Sequence, residues 1–310
     1  MPSVLSAAHF HSEQAAYEFV EARLWANGRV CPHCGVIDKS GPLKGKSTRI
    51  GVYKCYACRK PFTVKVGTVF ESSHIKLHVW LQAMHLLCAS KKGMSSNQLH
   101  RVLGVTLQTA WFLSHRIREA MMELKIDDAG PLGGENKVVE VDETYVGGRA
   151  RNCKGRVPEK RPVIALVERD GRVRTFHVPN VTGQTLRPII VENISKATFL
   201  MTDESPVYPG IGREFAGHGT VNHSAEEYVR ATFWHTNTAE GYFSMLKRGI
   251  IGVYHHVSET HLHRYLAEFD FRHNNRIALG VNDTERANKA LRGVVGKRLT
   301  YRTTRPEVSA

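Results

Sequence analysis

Two pairs of cysteines constrain the N-terminal part of this chain more than any other feature of the sequence. Cys31 and Cys34 form one pair, Cys55 and Cys58 form the other, and twenty residues separate the pairs. A gap of two residues within a pair lets both thiolates reach one tetrahedral ion at about 2.3 Å. Two such pairs joined by a linker of this length are typical of a zinc ribbon. The sequence therefore predicts a structural Zn²⁺ site with these four cysteines as ligands.

The charge of the chain favours a polyanionic partner. Its 310 residues include 43 Lys and Arg against 29 Asp and Glu, a formal net charge of +14. A surface this basic attracts phosphates, and counterion release would then dominate the affinity. The cations occur along the whole chain, which favours an extended nucleic-acid track over one basic tail. A basic enzyme that binds no nucleic acid is the alternative interpretation.

Hydropathy predicts a protein that neither crosses a membrane nor is exported. The longest apolar stretches are far shorter than the ~20 residues that a membrane-spanning helix needs. The first residues lack the apolar run and the small-residue cleavage site of a secretory signal. We therefore expect a cytoplasmic protein, associated with the nucleoid if its partner is DNA.

A helical segment is predicted after the ribbon. Residues 76–89 have apolar side chains at helical spacing, and two further helices are predicted over residues 95–103 and 106–124, with Gly104 between them. Helix, short turn and helix is the shape of a helix-turn-helix DNA reader. A helical linker packed on the following domain is the alternative. In the DNA-reading interpretation, the polar face of the last helix consists of Thr109, His115, Arg116 and Arg118.

The pattern changes to strands after residue 136. Strands are predicted over residues 138–146, 162–168 and 173–178, followed by a helix over 182–194, a strand over 198–202 and a helix over 236–247. This order predicts an α/β fold, a sheet with helices packed on it.

Acidic residues follow two of these apolar strands. Asp142 and Asp203 each come late in a strand, and Glu240 lies on the later helix, where Asn237 and Lys247 share its face at steps of three and seven residues. Adjacent strands can bring two such carboxylates to one point. Oxygen ligands of this kind hold the paired Mg²⁺ ions, about 4 Å apart, that activate the attacking and leaving oxygens of a phosphodiester.

Each strand acid has an acidic neighbour, which leaves a choice open. Glu143 follows Asp142, and Glu204 follows Asp203. Because side chains alternate between the two faces of a strand, only one residue of each pair is expected to face the metals. Taken singly, each of these acids fits a solvated residue or a helix cap better than a metal ligand.

The same residues resemble a known family. Residues 235–250 and 252–258 look like the third catalytic block of bacterial insertion-sequence transposases of the DDE class, from a group with an N-terminal zinc ribbon. Residues 141–148 resemble the first block and residues 201–205 the second. Residues 31–60 and 62–70 are similar to the ribbon and the segment after it. The resemblance extends over residues 16–276.

This resemblance implies a ribonuclease H-like catalytic fold that uses Mg²⁺ or Mn²⁺. It makes Asp142 and Asp203 metal ligands, and it allows either Asn237 or Glu240 as the third catalytic residue, followed by Lys247. We favour Glu240, because a carboxylate is the better ligand for a hard cation. Asn237 then becomes a flanking ligand or a substrate contact.

The implied activity is DNA transposition. The protein would bind the terminal inverted repeats of its element, hydrolyse the phosphodiester at each end and join the freed 3′-OH to target DNA, as a homodimer or larger assembly. We expect an N-terminal region with the ribbon (1–70), a helical segment (71–135), the catalytic domain (136–276) and a basic C-terminal tail (277–310). Two alternatives are a DNA-binding regulator with an inactive catalytic domain and a host nuclease of the same fold.

Overall fold

The computed structural model describes residues 3–123, 130–148, 159–221 and 235–300. The chain divides into two compact units. One consists of Met1–Ala89, Ser96–Met121 and Ala287–Ala310, and the other of Ser90–Ser95 and Met122–Arg286. The ribbon and most of the helical segment, which we predicted as separate regions, therefore belong to one unit.

The first unit begins with helix α1 (Glu13–Leu24), which precedes the ribbon. In the described ranges the ribbon has a small antiparallel sheet in the order β1-β2-β3, and Cys55 ends its central strand. The side chains of Cys31, Cys55 and Phe62 are buried together there, with Trp25 and Tyr53 packed against them. The strands are β1 (Ser40–Pro42), β2 (Tyr53–Cys55) and β3 (Pro61–Phe62).

The three predicted helices after the ribbon are confirmed. They are α2 (Leu77–Ala89), α3 (Ser96–Leu103) and α4 (Leu107–Met121). The polar face that we expected on α4 is wrong, because His115, Arg116 and Arg118 are buried. The Arg116 guanidinium donates hydrogen bonds to the carbonyl oxygens of Val69 (2.8 Å) and Glu71 (2.9 Å). These side chains hold the first unit together and cannot read DNA from this position.

The second unit contains a mixed sheet in the order β6-β5-β4-β7-β8 within the described residues. Strands β4, β5 and β6 are antiparallel neighbours, whereas β7 runs parallel to β4 and β8 runs parallel to β7. The elements follow in chain order: β4 (Val138–Val146), β5 (Arg161–Glu168), β6 (Val173–His177), α5 (Gly183–Asn193), β7 (Phe199–Asp203), α6 (Tyr208–Gly212), β8 (Gly217–Val221), α7 (Asn237–Gly249) and α8 (Glu259–Asn274).

Helices cover both faces of this sheet, and strand alternation decides which residues face which helix. Val139 and Val141 lie in the same apolar cluster as Leu186 of α5. Glu140 and Asp142 point to the opposite face, where Tyr242 of α7 and residues of α8 pack against β5. Asp142 is thereby placed on the face that carries the predicted catalytic helix.

The C-terminal segment is more ordered than the predicted tail. Residues Asp283–Arg292 form helix α9. Leu291 in its last turn and Val294 just after it are buried. Lys297 donates a hydrogen bond of 3.3 Å to the carbonyl oxygen of Ala120. The predicted tail beyond residue 300 lies outside the described residues. No helix in the described ranges is long and apolar enough to cross a membrane.

Candidate active site and zinc site

The parallel strands β4 and β7 bring two predicted site residues together. Their pairing runs from Val138 opposite Phe199 to Glu140 opposite Met201. Asp142 and Asp203 each lie two residues further along, so they leave the same end of the sheet side by side. Carboxylate oxygens of Asp142, Glu143 and Asp203 all lie within 4.8 Å of one another, close enough to share a metal ion.

Strand alternation led us to expect that only one of Asp142 and Glu143 faces the metals, and for this pair that expectation is wrong, because both lie in the cluster. The pairing of β4 with β7 ends at Glu140, so the two strands separate before the acids are reached. The longer Glu143 side chain can therefore approach Asp203 from the other face of the sheet. The Tyr208 hydroxyl holds it there by a short hydrogen bond to its carboxylate. Asp203, and not its neighbour Glu204, belongs to the cluster.

Helix α7 brings two further predicted residues, Glu240 and Lys247, to one wall of a cleft. Ala239, Tyr242 and Leu246 face the core, so the opposite side of the helix is exposed. The cleft has a volume of about 730 Å³, and Glu240 and Lys247 line it together with Asp142 and Glu143. Asn237, at the first position of the helix, is exposed and is not among the described residues that line this cleft.

The electrostatics of the cluster suit a cation. Burial raises the pKa of the Asp142 carboxyl to about 7, and the charges of the neighbouring acids, Glu143 first, add to the rise. The backbone N–H of Glu143 donates a hydrogen bond of 2.8 Å to the Asp142 carboxylate, and this bond opposes the rise in pKa. Burial also raises the pKa of Glu143. Half-buried carboxylates in one another's field are stabilised by a positive ion, and oxygen donors are the ligands that Mg²⁺ and Mn²⁺ prefer.

Sequence reasoning missed Glu140, a fully buried acid on β4. Its carboxylate accepts hydrogen bonds from the backbone N–H groups of Thr238 (2.8 Å) and Ala239 (2.9 Å), in the first turn of α7. Arg169 donates to the same carboxylate at 2.7 Å, and the Nδ1 atom of His235 lies 3.2 Å away. The available signal was a charged residue among valines on a strand, since a buried charge requires partners.

The four predicted cysteines converge in the first unit. Their sulfur atoms lie within 4.8 Å of one another, with 3.7 Å between Cys31 and Cys58 and 3.7 Å between Cys34 and Cys55. A tetrahedral ion with sulfur ligands at about 2.3 Å requires sulfur–sulfur separations of roughly 3.8 Å. The arrangement therefore fits Zn²⁺ with these four ligands.

Comparison with known proteins agrees with this geometry. The model of a family described as a transposase zinc-ribbon domain matches residues 11–61. A second model, described as an ISXO2-like transposase domain, matches residues 131–274. Together the two matches cover more than half of the chain and include the cysteine cluster, the acid cluster and α7. The chain is an insertion-sequence transposase with an N-terminal zinc ribbon.

A relative of this transposase occurs in a mobile element. It is the uncharacterized protein in transposable element ISH50 of Halobacterium salinarum, 27% identical over 281 residues, which are 85% of this chain and 91% of the relative. Among solved structures, the cryo-electron microscopy structure of the simian T-cell lymphotropic virus intasome, in complex with PP2A regulatory subunit B56 gamma, shows 15% identity and a TM-score of 0.27. The match covers 56% of this chain and 63%, less than two thirds, of that chain. A likeness this weak carries no weight for the fold or the function.

Proposed function

We propose that this chain is a DNA transposase that binds the ends of its insertion element, cleaves them and joins them to target DNA with the help of divalent metal ions. The observation that carries the proposal is the convergence of Asp142, Glu143 and Asp203 within 4.8 Å, at a cleft that Glu240 and Lys247 also line. A regulator with an inactive domain would have no use for such a set. The mixed sheet with helices on both faces supports a ribonuclease H-like fold for this unit.

The acids have distinct roles in this proposal. Asp142 and Asp203 are the principal metal ligands, and Glu143 joins them because its carboxylate reaches the same point. Glu240 completes the set from α7. Bound Mg²⁺ or Mn²⁺ supplies the Lewis-acid chemistry that activates the attacking oxygen and stabilises the leaving oxygen.

Lys247 contributes a positive charge on the same face as Glu240, two helical turns further on. A lysine in this position binds a phosphate oxygen of the substrate and helps to align the scissile bond. Water and the freed 3′-OH of the element are the successive nucleophiles, so the protein itself supplies no covalent nucleophile.

The first unit is proposed to recognise the element ends in duplex DNA. Its zinc ribbon is a compact fold that a bound ion stabilises. With the buried arginines of α4 excluded, the exposed start of that helix at Leu107 and Gln108 is the part left free to enter a groove. Cutting both ends of one element requires two active sites together, so we also propose a homodimer or larger assembly on DNA in the cytoplasm.

The decisive experiment compares wild type with Asp142→Asn on labelled duplexes that carry the inverted repeats of the element encoding this chain, in the presence of Mg²⁺. Wild type should nick the ends and join them to target DNA, and the isosteric variant should do neither. Identical products from both proteins would refute the metal-dependent reaction. Cleavage without joining would instead assign the chain to the nucleases, and binding without either would make it a regulator.

A second comparison decides between Glu240 and Asn237 as the third catalytic residue. We expect Glu240→Gln to reduce strand transfer by at least about 100-fold, because it removes a charged ligand of the metals. Asn237→Ala should have a smaller effect, since the side chain lies outside the cleft lining of the described residues. The reverse order of the two effects would assign the role to Asn237.

A further inference from the structure

A turn outside the predicted catalytic domain contributes to the cleft of the acid cluster. Residues Ser90–Ser95 connect α2 to α3 in sequence, yet they belong to the compact unit that contains the sheet. Lys92 of this turn lines the cleft together with Asp142 and Glu240. Neither the sequence pattern, which marks Lys92 only as a break between helices, nor the family match to residues 131–274 assigns it a role.

The turn has a defined conformation. The Ser90 hydroxyl donates to the carbonyl oxygen of Gly93 at 2.6 Å and accepts from the N–H of the same residue at 2.9 Å. Gly93 has a φ of +99°, in the region that favours glycine, and a Cβ atom there would collide with the Tyr254 hydroxyl. The backbone that carries Lys92 is therefore closed on itself and packed closely against its surroundings.

The turn also packs against the end of helix α7. A Cβ atom at Gly249 would lie 2.9 Å from the carbonyl oxygen of Lys92 and would collide with the ring of Phe269. The absence of a side chain at Gly249 therefore allows Lys92 to approach the helix that carries Glu240 and Lys247. The backbone of Lys92 is thus held against the helix that carries Glu240.

The cleft is lined by groups of both charges. Asp142, Glu143 and Glu240 are its acids, and Lys92 joins the two cations of α7, Lys247 and Arg248. No ion pair within the described ranges involves Lys92, so it is not held by the neighbouring carboxylates there. An exposed lysine on a fixed backbone, next to acids that would hold metal ions, suits a second negatively charged group of the substrate.

We infer that Lys92 binds a backbone phosphate of the DNA strand that enters the cleft, adjacent to the scissile bond. The Ser90–Ser95 turn is then part of the DNA-binding site of the catalytic unit, next to the C-terminal end of α7. This inference rests on the proposed function, because it takes the ligand of the cleft to be DNA. Lys91 offers a matched control: it is the neighbouring lysine, it is exposed, and it is not among the described residues that line the cleft.

The first test measures how salt affects DNA binding, with Ca²⁺ replacing Mg²⁺ so that no strand is cut. A labelled duplex carrying one inverted repeat of the element is titrated between about 50 and 200 mM KCl, where each phosphate contact adds about 0.9 to the slope of log affinity against log salt. Lys92→Ala should lower the magnitude of this slope by about 0.9, which corresponds to the loss of one phosphate contact. It should also weaken binding several-fold at low salt. Lys91→Ala should bind like wild type. Equal slopes for the two variants would overturn the inference.

The second test locates the contact directly. Lys92→Cys and Lys91→Cys are each mixed with a duplex whose phosphate next to the cleavage position carries a tether ending in a mixed disulfide, so that the protein thiolate attacks the tether sulfur and releases the small thiol. A disulfide crosslink is expected with Lys92→Cys above the level of wild type and of Lys91→Cys. Crosslinking that does not differ between the two variants would contradict the inference, whatever the activity of the protein.

These outcomes are separable from failure of the proposed function. Phosphate contacts do not depend on base sequence, so the salt slope can also be measured on a random duplex. If Asp142→Asn cleaves like wild type while the Lys92 effects are present, the proposed reaction fails and the binding inference stands. If Asp142→Asn is inactive but Lys92→Ala behaves like Lys91→Ala, the inference fails alone.

Discussion

The buried carboxylate of Glu140 accepts a hydrogen bond of 2.9 Å from the backbone N–H of Ala239. Glu140 thereby caps α7 from a neighbouring strand, and its negative charge favours the N-terminal end of the helix dipole. Because Glu140 lies two residues before Asp142 and the capped helix carries Glu240, this contact sets the distance between the strand acids and the helix acid.

Replacing Glu140 by Ala should therefore destabilise the second unit strongly. The change removes the carboxylate that pairs with Arg169 and accepts from two N–H groups, and breaking a buried pair of this kind costs about 3–5 kcal/mol. Urea unfolding followed by circular dichroism measures the effect. Glu135→Ala, at an exposed position near the start of the same strand, should change the unfolding free energy by less than about 0.5 kcal/mol. Similar small changes for both variants would show that the cap is unimportant.

Tyr208 should tune the affinity of the acid cluster for metal ions. Its buried hydroxyl donates to Glu143 and so favours the ionised carboxylate. Tyr208→Phe should raise the Mg²⁺ concentration for half-maximal cleavage by about 10-fold, the usual effect of losing a group that orients a ligand. Tyr145→Phe is the control, because Tyr145 is exposed on the same strand as Glu143. If the Mg²⁺ requirement of Tyr208→Phe equals that of wild type, Glu143 is not a ligand of the metal ions.

The features that the sequence predicted are those with a local cause. The Cys31–Cys34 and Cys55–Cys58 spacings depend only on the reach of neighbouring thiolates, and the structure brings all four together. The strands that carry Asp142 and Asp203 follow from runs of β-branched and apolar residues. The prediction that Asp142 and Asp203 meet also assumed that their two strands are neighbours in the sheet. The parallel pairing of β4 with β7 confirms this assumption.

The features that the sequence did not predict depend on contacts between distant segments. Glu143 reaches the cluster because β4 and β7 separate after Glu140, and no local pattern encodes where two strands part. Strand β8 contains Gly217 and Gly219, which lower its strand propensity, and its pairing with β7 holds it in the sheet. The arginines of α4 looked like a DNA-binding face, because a polar pattern alone cannot distinguish solvent from buried carbonyl oxygens.

Zinc should be required for the folding of the ribbon in the first unit and dispensable for the folding of the second unit. Cys55→Ser removes one of four ligands with sulfur separations of 3.7 Å, so the chain should lose about one bound zinc and the ribbon should unfold. Zinc content by mass spectrometry and affinity for the element ends should fall together. Cys153→Ser, at a position outside the described residues, is the control and should retain zinc. A Cys55→Ser protein that keeps its zinc and its end-specific binding would contradict the assignment.

Two titratable residues of α8 should affect stability in opposite directions with pH. Burial raises the pKa of the Asp270 carboxyl to about 7, whereas burial, aided by the charge of Arg276, lowers the pKa of His273 to about 4. Between about pH 4 and 7 the folded state keeps the Asp270 proton that the unfolded chain releases, so this residue costs stability as the pH rises. The wild-type pH profile therefore conceals the contribution of His273, and a variant is needed to reveal it.

The His273→Gln variant isolates that contribution, because glutamine does not titrate. An unfolded chain protonates its histidine near the ordinary pKa of 6.5, but folded His273 resists protonation down to about 4, so acid favours unfolding. The stability that His273 contributes is thus present above pH 6.5 and lost as the pH falls towards 4. The free energy of unfolding of the variant minus that of wild type should therefore increase by about 2–3 kcal/mol when the pH is lowered from 7.5 to 4.5. Linkage requires a change of this size for a pKa lowered this far. Urea unfolding of both proteins at the two pH values measures this difference, and a value independent of pH would show that His273 is protonated as readily in the folded protein as in the unfolded chain.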